Sequence, residues 1–240
     1  MNLKTFERHI ENEKSHWWFK GRREILDTLI KKKNKSKKIS ILDFGAGSGT
    51  NINMLKNYGI VYIYEKNEKM KKYLKKKYKK NKKIFIVNNY RKKKYDLILA
   101  ADVIEHIKND RYVVNNLYKI LKKDGKIVIT VPAFQFLFSQ KDIQLRHYRR
   151  YNLKTIKNIL KKFNTLKISY FNFFLFLPLS ITIIFFKLLK IDFIAKAEKT
   201  PNIIINKFLY SIFKAEKYFL NFINFPFGLS IVFIGQKNEI

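Results

Sequence analysis

The chain has 240 residues, of which 47% are hydrophobic and 16% aromatic, enough for a packed domain and contrary to intrinsic disorder. It contains no cysteine, which excludes disulfide bridges and thiolate metal sites, and we expect no bound metal. The formal net charge of +33 has two possible sources. The predominance of lysine over arginine favours a genomic codon bias, and the alternative is an anionic partner such as nucleic acid or a lipid surface.

The N-terminal segment, roughly residues 5–33, is predicted to be helical. Its central residues are aromatic and then basic: His16, Trp17, Trp18, Phe19, Arg22 and Arg23. Two roles stay open for the aromatic side chains, either a hydrophobic staple for this helix or a lid that excludes water from a ligand site. Residues 1–15 lack the apolar stretch of a secretory signal, so we expect a cytoplasmic protein.

Strands and helices alternate after a basic linker. The predicted strands are short apolar runs: 39–42, 61–64, 84–87, 95–100 and 126–131. The predicted helices between them cover 51–58, 68–80 and 111–121, with a turn at 123–125 before the fifth strand. Repeated strand–helix units of this length predict a parallel sheet, in which ligands bind beyond the carboxyl ends of the strands.

A long apolar segment follows the predicted core. Residues 168–186 contain no charged side chain, although Pro178 interrupts the run. Three interpretations stay open: a strand followed by a buried or lobe-forming helix, a surface that dips into a bilayer, or a membrane span. Lys187 and Lys190 follow directly, as expected for a helix beside anionic lipid, and 228–235 is a plausible last strand.

The turn after the first predicted strand is rich in glycine. Residues 43–49 are Asp-Phe-Gly-Ala-Gly-Ser-Gly, and Thr50 stands where a dinucleotide-binding turn has its third glycine. Asp43 precedes the first glycine by two residues, and its carboxylate is awkward beside a pyrophosphate. Such an acid suits the cationic amino-acid end of S-adenosylmethionine (SAM), which disfavours a nicotinamide-dependent dehydrogenase.

A second acidic residue ends the second predicted strand. Glu65 lies 22 residues after Asp43, at the position where a carboxylate accepts both hydrogen bonds of a ribose diol. The alternative is a solvated glutamate at a strand end. Together with the glycine-rich turn, the spacing favours the ribose role.

With the segment 95–106, Tyr-Asp-Leu-Ile-Leu-Ala-Ala-Asp-Val-Ile-Glu-His, the chain resembles the class I SAM-dependent methyltransferases. It is closer to a bacterial subgroup found with polysaccharide and glycolipid biosynthesis. The segments that carry this likeness are 16–19 with Arg22 and Arg23, 102–106, 131–133, 142–151 and 226–230. The resemblance implies a Rossmann-like α/β fold with a mostly parallel seven-stranded sheet and helices on both faces. It also implies an N-terminal cap (1–38), a cofactor-binding core (39–167) and a C-terminal apolar helical lobe with the final strands (168–240).

The resemblance also implies roles for individual residues. Residues expected at the methionine end of SAM are Asp43, Gly45, Ala46, Gly47 and Gly49. Glu65 would bind the ribose, Asn89 or its neighbour Asn88 the adenine, and Ala101 with Asp102 would lie near the sulfonium. The family often has cysteine where this chain has Ala46, a harmless change because the backbone contacts the ligand.

Methyl transfer to an oxygen requires a base, and histidine is suited to that near neutral pH. His106 and His147 are the predicted catalytic residues, with helix-start packing as the alternative for His106. The residues expected to bind substrate are Trp18, Arg22, Asp142, Arg149 and Arg150. For the arginines, which would bind a phosphate or carboxylate of the acceptor, a solvated loop is the alternative.

Three functions are compatible with these features. The leading hypothesis is methylation of a sugar, glycolipid or polyprenyl-linked intermediate, with peripheral contact at the inner face of an anionic membrane. An RNA or ribosome methyltransferase would use the positive charge, but the sequence offers no appended RNA-binding module. A catalytically silent membrane or assembly partner is disfavoured because Asp43 and Glu65 are both present.

Overall fold

The computed structural model describes residues 10–33, 38–189 and 200–238. A short helix over residues 10–15 precedes the elements that we number. The helices are α1 (Trp17–Lys33), α2 (Ile52–Leu55), α3 (Glu68–Tyr78), α4 (Asp110–Lys119), α5 (Gln140–Gln144), α6 (Leu153–Ile159), α7 (Phe176–Leu188) and α8 (Ile203–Phe219). The strands are β1 (Ile39–Phe44), β2 (Gly59–Tyr64), β3 (Ile84–Ile86), β4 (Tyr95–Ala101), β5 (Leu121–Pro132), β6 (Phe163–Phe171) and β7 (Ser230–Lys237).

The strands form one seven-stranded sheet in the order β3-β2-β1-β4-β5-β7-β6. β1 to β5 pair in parallel, whereas β7 is antiparallel to both of its neighbours. Ile41, Leu42, Leu97, Ile98 and Leu99 are completely buried, because the central strands are covered on both faces. The predicted Rossmann-like, mostly parallel sheet with helices is confirmed.

Two predicted elements differ in detail. The helix expected over 51–58 is only the four-residue α2, and the chain then turns into β2 at Gly59. The side chain of Tyr58 lies against α1 and donates a hydrogen bond to Asp27, which fixes it in the turn. The turn expected at 123–125 lies within β5, where Asp124 adopts a positive φ of 58° beside a register shift.

The N-terminal cap and the C-terminal helix pack together. α1 lies against α8, and Gly21 permits this approach, since an added Cβ would come within 2.4 Å of the Phe213 ring. An ion pair of 2.8 Å joins Lys217 to Glu24 across the same contact. The buried side chains of α1 therefore belong to the same hydrophobic core as those of the sheet.

The apolar segment is a strand followed by a helix, one of the alternatives that its composition left open. β6 runs across the predicted boundary at 167/168, and α7 follows after a short loop. In the described part of the chain, no helix is both long and apolar enough to cross a membrane. α7 nevertheless leaves a row of large apolar side chains exposed: Leu177, Ile181, Ile184, Phe185, Leu188 and Leu189. Lys190 lies outside the described residues.

Candidate active site

The glycine-rich turn connects β1 to α2 at the carboxyl edge of the sheet. Gly45, Gly47 and Gly49 have φ values of 76°, 57° and 83°, a region that side chains rarely adopt. An added Cβ at Gly45 would come within 2.7 Å of the Val103 side chain. The Gly45 amide donates a 2.8 Å hydrogen bond to the carbonyl of Tyr64, which holds the turn beside the end of β2. The turn is thus a narrow backbone cradle, as predicted for close ligand approach.

Asp43 is the penultimate residue of β1 and precedes this cradle. Its side chain is buried, and its Oδ2 atom has no hydrogen-bond partner among the described residues. Burial raises the pKa of this carboxyl to about 7, and the nearby Arg22 guanidinium limits the rise. A buried acid with an open oxygen can accept hydrogen bonds from a cationic ligand group, and its position suits the methionine ammonium of SAM.

Glu65 lies beside the turn, just after β2. Its two carboxylate oxygens accept hydrogen bonds from the backbone amides of Gly47 (2.8 Å) and Asn67 (2.7 Å). Each oxygen has a second lone pair, so the group can still accept hydrogen bonds from a diol. The glycine cradle, the open Asp43 oxygen and the fixed Glu65 carboxylate therefore fit the cofactor that the resemblance implies.

Glu13, which was not predicted as a site residue, lies over the turn. Its side chain is only 5% exposed, and its Oε1 atom is 3.3 Å from the position that a Cβ on Gly47 would occupy. The segment 10–15 therefore places a third carboxylate beside Asp43 and Glu65. Sequence reasoning missed it because the surrounding residues alternate between charged and polar types with no motif.

Arg22 joins the N-terminal cap to the end of β4. Its guanidinium is buried, forms an ion pair with Asp102 and lies 4.6 Å from the centre of the Trp18 ring. Burial lowers the pKa of Arg22 to about 10. Asp102 has a positive φ of 55° and also accepts a 3.0 Å hydrogen bond from Thr130 on β5. The structure thus unites Trp18, Arg22 and Asp102, with Ala101 adjacent at the end of β4.

Asn88 and Asn89 are exposed at the end of β3. The Asn89 side chain caps the single 3₁₀ turn Tyr90–Lys92 by accepting a 2.9 Å hydrogen bond from the amide of Arg91. Its carbonyl oxygen is therefore used locally, while the amide nitrogen still offers donors. The adenine role of Asn89 stays a prediction.

A histidine cluster follows β4. The 3₁₀ turn Ile104–His106 places His106 beside His147, with ring centres 4.5 Å apart. Each of Glu105, His106 and His147 offers one potential ligand atom, and these three atoms lie within 4.8 Å of one another. Desolvation and the neighbouring His147 lower the pKa of His106 to about 4, although part of its side chain is exposed. This imidazole is therefore neutral at physiological pH.

Glu105 forms the buried side of this cluster. It is 0% exposed, and neither carboxylate oxygen has a hydrogen-bond partner among the described residues. Burial raises its pKa to about 8. The backbone amide of Tyr148 donates a 2.8 Å hydrogen bond to the Glu105 carbonyl, which ties the segment around His147 to the end of β4.

Asp142 and Arg150 hold His147 rather than presenting free charges. Asp142 Oδ1 lies 2.8 Å from His147 Nδ1, and Arg150 binds both oxygens of the same carboxylate at 2.9 Å. These partners keep the pKa of Asp142 well below its usual range. The charges of Asp142 and Arg150 are therefore paired internally, so both residues position His147. Their substrate-binding role stays a prediction.

Arg149 is also engaged, but at the surface. Its guanidinium contacts Asp110 at 3.2 Å and donates a 2.8 Å hydrogen bond to the carbonyl of Lys108. Its side chain remains 38% exposed. Of the two predicted anion-binding arginines, Arg149 is the one that retains access to a ligand.

A family model described as a methyltransferase domain matches residues 15–168. The uncharacterized protein MJ0638 of Methanocaldococcus jannaschii is 29% identical over 108 residues, 45% of this chain and 47% of that protein. The chain thus spans about half the length of this curated relative.

Solved structures share the fold. Bacillus subtilis YcgJ has a TM-score of 0.58 at 13% identity, covering 90% of this chain and 99% of that one. Phosphoethanolamine N-methyltransferase 2 of Haemonchus contortus, in complex with S-adenosyl-L-methionine, has a TM-score of 0.57 at 19% identity, covering 90% and 52%. The N-methyltransferase NodS of Bradyrhizobium japonicum, in complex with S-adenosyl-L-homocysteine, has a TM-score of 0.54 at 14% identity, covering 69% and 88%. At these identities the likeness shows the fold alone.

Proposed function

The chain belongs to the methyltransferase-domain family, and from that premise we propose that it methylates an oxygen of a sugar, glycolipid or polyprenyl-linked acceptor. SAM is the cofactor of this methyltransferase. The observation that carries the acceptor chemistry is the pair of imidazoles, His106 and His147, at the carboxyl edge of the sheet.

The cofactor half of the site lies over β1 and β2. Asp43 and Glu13 would accept hydrogen bonds from the methionine ammonium, and Glu65 from the ribose hydroxyls. SAM supplies a methyl group already activated on a sulfonium, so the main tasks of the protein are alignment and removal of the acceptor proton. The Arg22–Asp102 pair spans the site from α1 to β4 and would exclude water from it.

The acceptor half of the site lies beyond β4. A hydroxyl acceptor must lose its proton as the methyl group is transferred, and the two imidazoles are suited to activate it. Asp142 fixes the orientation of the His147 imidazole. The imidazole therefore loses little conformational freedom when the acceptor binds. Arg149 would bind an anionic group of the acceptor at the rim.

The exposed apolar side chains of α7 support a lipid-linked acceptor. Leu177, Ile181, Ile184 and Leu188 recur at helical spacing and form one face. An apolar helix face on a protein of net charge +33 is suited to peripheral contact with an anionic membrane. We therefore propose that the acceptor lies at the inner membrane face, where an enzyme in the cytoplasm would reach it.

Calorimetric titration with SAM, S-adenosylhomocysteine and NADH tests the cofactor. We expect S-adenosylhomocysteine binding that weakens about 10- to 100-fold in Glu65→Gln, because hydrogen bonds to a charged group are lost. Glu68→Gln is the matched control, since Glu68 is exposed on α3 and three residues away. Binding of NADH without either SAM species would overturn the proposal.

Transfer of a labelled methyl group tests the acceptor. Membrane extracts containing lipid-linked sugars are compared with total RNA, each with wild type and His147→Ala. We expect label in the lipid fraction that depends on His147. Labelling of RNA alone, with binding that falls steeply as salt rises, would favour the RNA methyltransferase alternative instead.

A further inference from the structure

The cluster after β4 has the composition of a metal site. Two imidazoles and one carboxylate, from His106, His147 and Glu105, offer their ligand atoms within 4.8 Å of one another. Zinc at about 2.0–2.1 Å from tetrahedral ligands would place the ligand atoms about 3.4 Å apart, so small side-chain rotations would complete the geometry. Three such ligands leave a coordination position open.

The unpaired Glu105 carboxylate is an independent sign of a missing ligand. A fully buried carboxylate without a hydrogen-bond partner is costly, and buried polar groups are normally satisfied. The two nearby guanidiniums do not satisfy it, because Arg22 is bound to Asp102 and Arg150 to Asp142. A cation held between Glu105 and the imidazoles would supply the partner.

Both imidazoles have hydrogen-bond partners that fix their orientation. Asp142 holds the Nδ1 atom of His147, which leaves Nε2 for a ligand. The backbone carbonyls of Leu145 and Arg146 interact with the His106 imidazole. Histidine ligands of metals are usually fixed in this way, through the second ring nitrogen, by a carboxylate or a carbonyl.

We propose that Glu105, His106 and His147 bind a divalent transition-metal ion whose open position takes the acceptor oxygen. The inference rests on the proposed function and departs from the metal-free site expected from the sequence. The bound cation would act as a Lewis acid, lowering the pKa of the coordinated hydroxyl so that its proton is lost to solvent before the oxygen attacks the methyl group. The activating role of the imidazoles is then to hold the ion.

Zinc binding to the tag-free 240-residue chain tests the site. Bound metal is first removed with a chelator, and Zn²⁺ is then added. We expect the protein to bind about one Zn²⁺ per chain by elemental analysis and calorimetry. His147→Ala and Glu105→Gln should lose this binding, whereas His16→Ala, which removes a histidine outside the cluster, should retain it. Asp142→Asn keeps all three ligands but should weaken binding about 10- to 100-fold, because His147 loses its orienting partner.

Other outcomes overturn the site. No stoichiometric zinc uptake, or uptake unchanged in His147→Ala and Glu105→Gln, would exclude the proposed ligands. The visible absorption of Co²⁺-loaded wild type reports ligand geometry without a variant, and a spectrum of fully hydrated cobalt would also exclude them. S-adenosylhomocysteine titration of the same metal-free sample separates the two proposals. Binding of S-adenosylhomocysteine without zinc uptake would exclude only the metal site. Zinc uptake without binding of S-adenosylhomocysteine would exclude the methyltransferase reaction.

Discussion

Buried carboxylates have opposite surroundings in two regions of the molecule. At the carboxyl edge of the sheet, Asp43 and Glu105 keep oxygens without hydrogen-bond partners among the described residues. In the C-terminal helical lobe, Glu216 of α8 is equally buried. Its oxygens accept hydrogen bonds from the backbone amides of Asn172 (2.7 Å), Phe173 (2.7 Å) and Phe174 (3.1 Å). Glu216 thereby closes the loop between β6 and α7.

The difference separates structural burial from functional burial. Glu216 satisfies donors that the fold would otherwise leave unpaired. These hydrogen bonds offset part of its desolvation, although burial still raises the pKa of Glu216 to about 7. One oxygen of Asp43 and both oxygens of Glu105 lack such hydrogen bonds among the described residues, which indicates that their partners are ligands. Substitutions should therefore affect stability in one region and binding in the other.

The largest effect is expected for Glu216→Ala. Three backbone amides would lose their acceptor, and we expect the free energy of unfolding to fall by about 3–5 kcal/mol. Glu216→Gln, which retains one acceptor oxygen, should cost about half as much. Urea denaturation measures both, with the exposed Glu68→Ala as a control expected within about 0.5 kcal/mol of wild type. A loss below about 1 kcal/mol for Glu216→Ala would contradict the structural role.

Asp43→Asn should have the opposite profile. The neutral amide removes a buried charge, so we expect the free energy of unfolding to stay within about 1 kcal/mol of wild type or to rise. Affinity for S-adenosylhomocysteine should fall about 10- to 100-fold, since a charge-assisted hydrogen bond is lost. Urea denaturation and calorimetry on one preparation give both numbers. A large stability loss with unchanged affinity would remove the distinction between the two regions.

The pKa of Asp43 gives the next test. The pKa of Asp43 is about 7 in the folded protein and 3.8 ordinarily. Between those pH values the folded protein therefore retains a proton that the unfolded chain has lost. The contribution of Asp43 to stability therefore falls as pH rises from about 4 to 7 and is constant above. Ligand binding needs the ionised form, so S-adenosylhomocysteine affinity should be about tenfold weaker at pH 6 than at pH 8. Asp43→Asn should abolish this pH dependence in calorimetry.

The smallest effect is expected for α7, most of whose exposed side chains are apolar. Leu188 is 76% exposed, so Leu188→Gln should leave stability unchanged. Binding to anionic lipid vesicles should fall about fivefold, because one apolar side chain no longer inserts. Tyr112→Gln on α4, where the ring is 54% exposed, is the matched control and should bind like wild type. Equal binding of both variants in co-sedimentation would exclude α7 as the membrane contact.

Local features of the site were predictable from the sequence. The cradle of Gly45, Gly47 and Gly49 follows from a short apolar run that ends at glycines, and the parallel part of the sheet, β1 to β5, follows from the strand–helix alternation. The number of seven strands came from the family resemblance. Such features depend on neighbours in the chain, where glycine freedom and hydrophobic periodicity act directly.

Features that join distant parts of the chain were not predictable in the same way. The pair Arg22–Asp102 links residues 80 positions apart, and Asn172 meets Glu216 across 44 positions. The internal pairing of Arg150 with Asp142 was missed because a basic cluster looks identical in sequence whether its charges face a ligand or each other. Only tertiary packing decides between those cases.

The placement of β7 has a consequence for biosynthesis. β7 lies between β5 and β6 in the sheet but follows every other strand in the chain. While the ribosome is still making residues 230–237, β5 and β6 lack the strand that joins them, and both leave backbone groups exposed. We therefore expect the nascent chain to stay incompletely folded until these residues leave the exit tunnel, with the unpaired edge of β6 as the surface that chaperones protect.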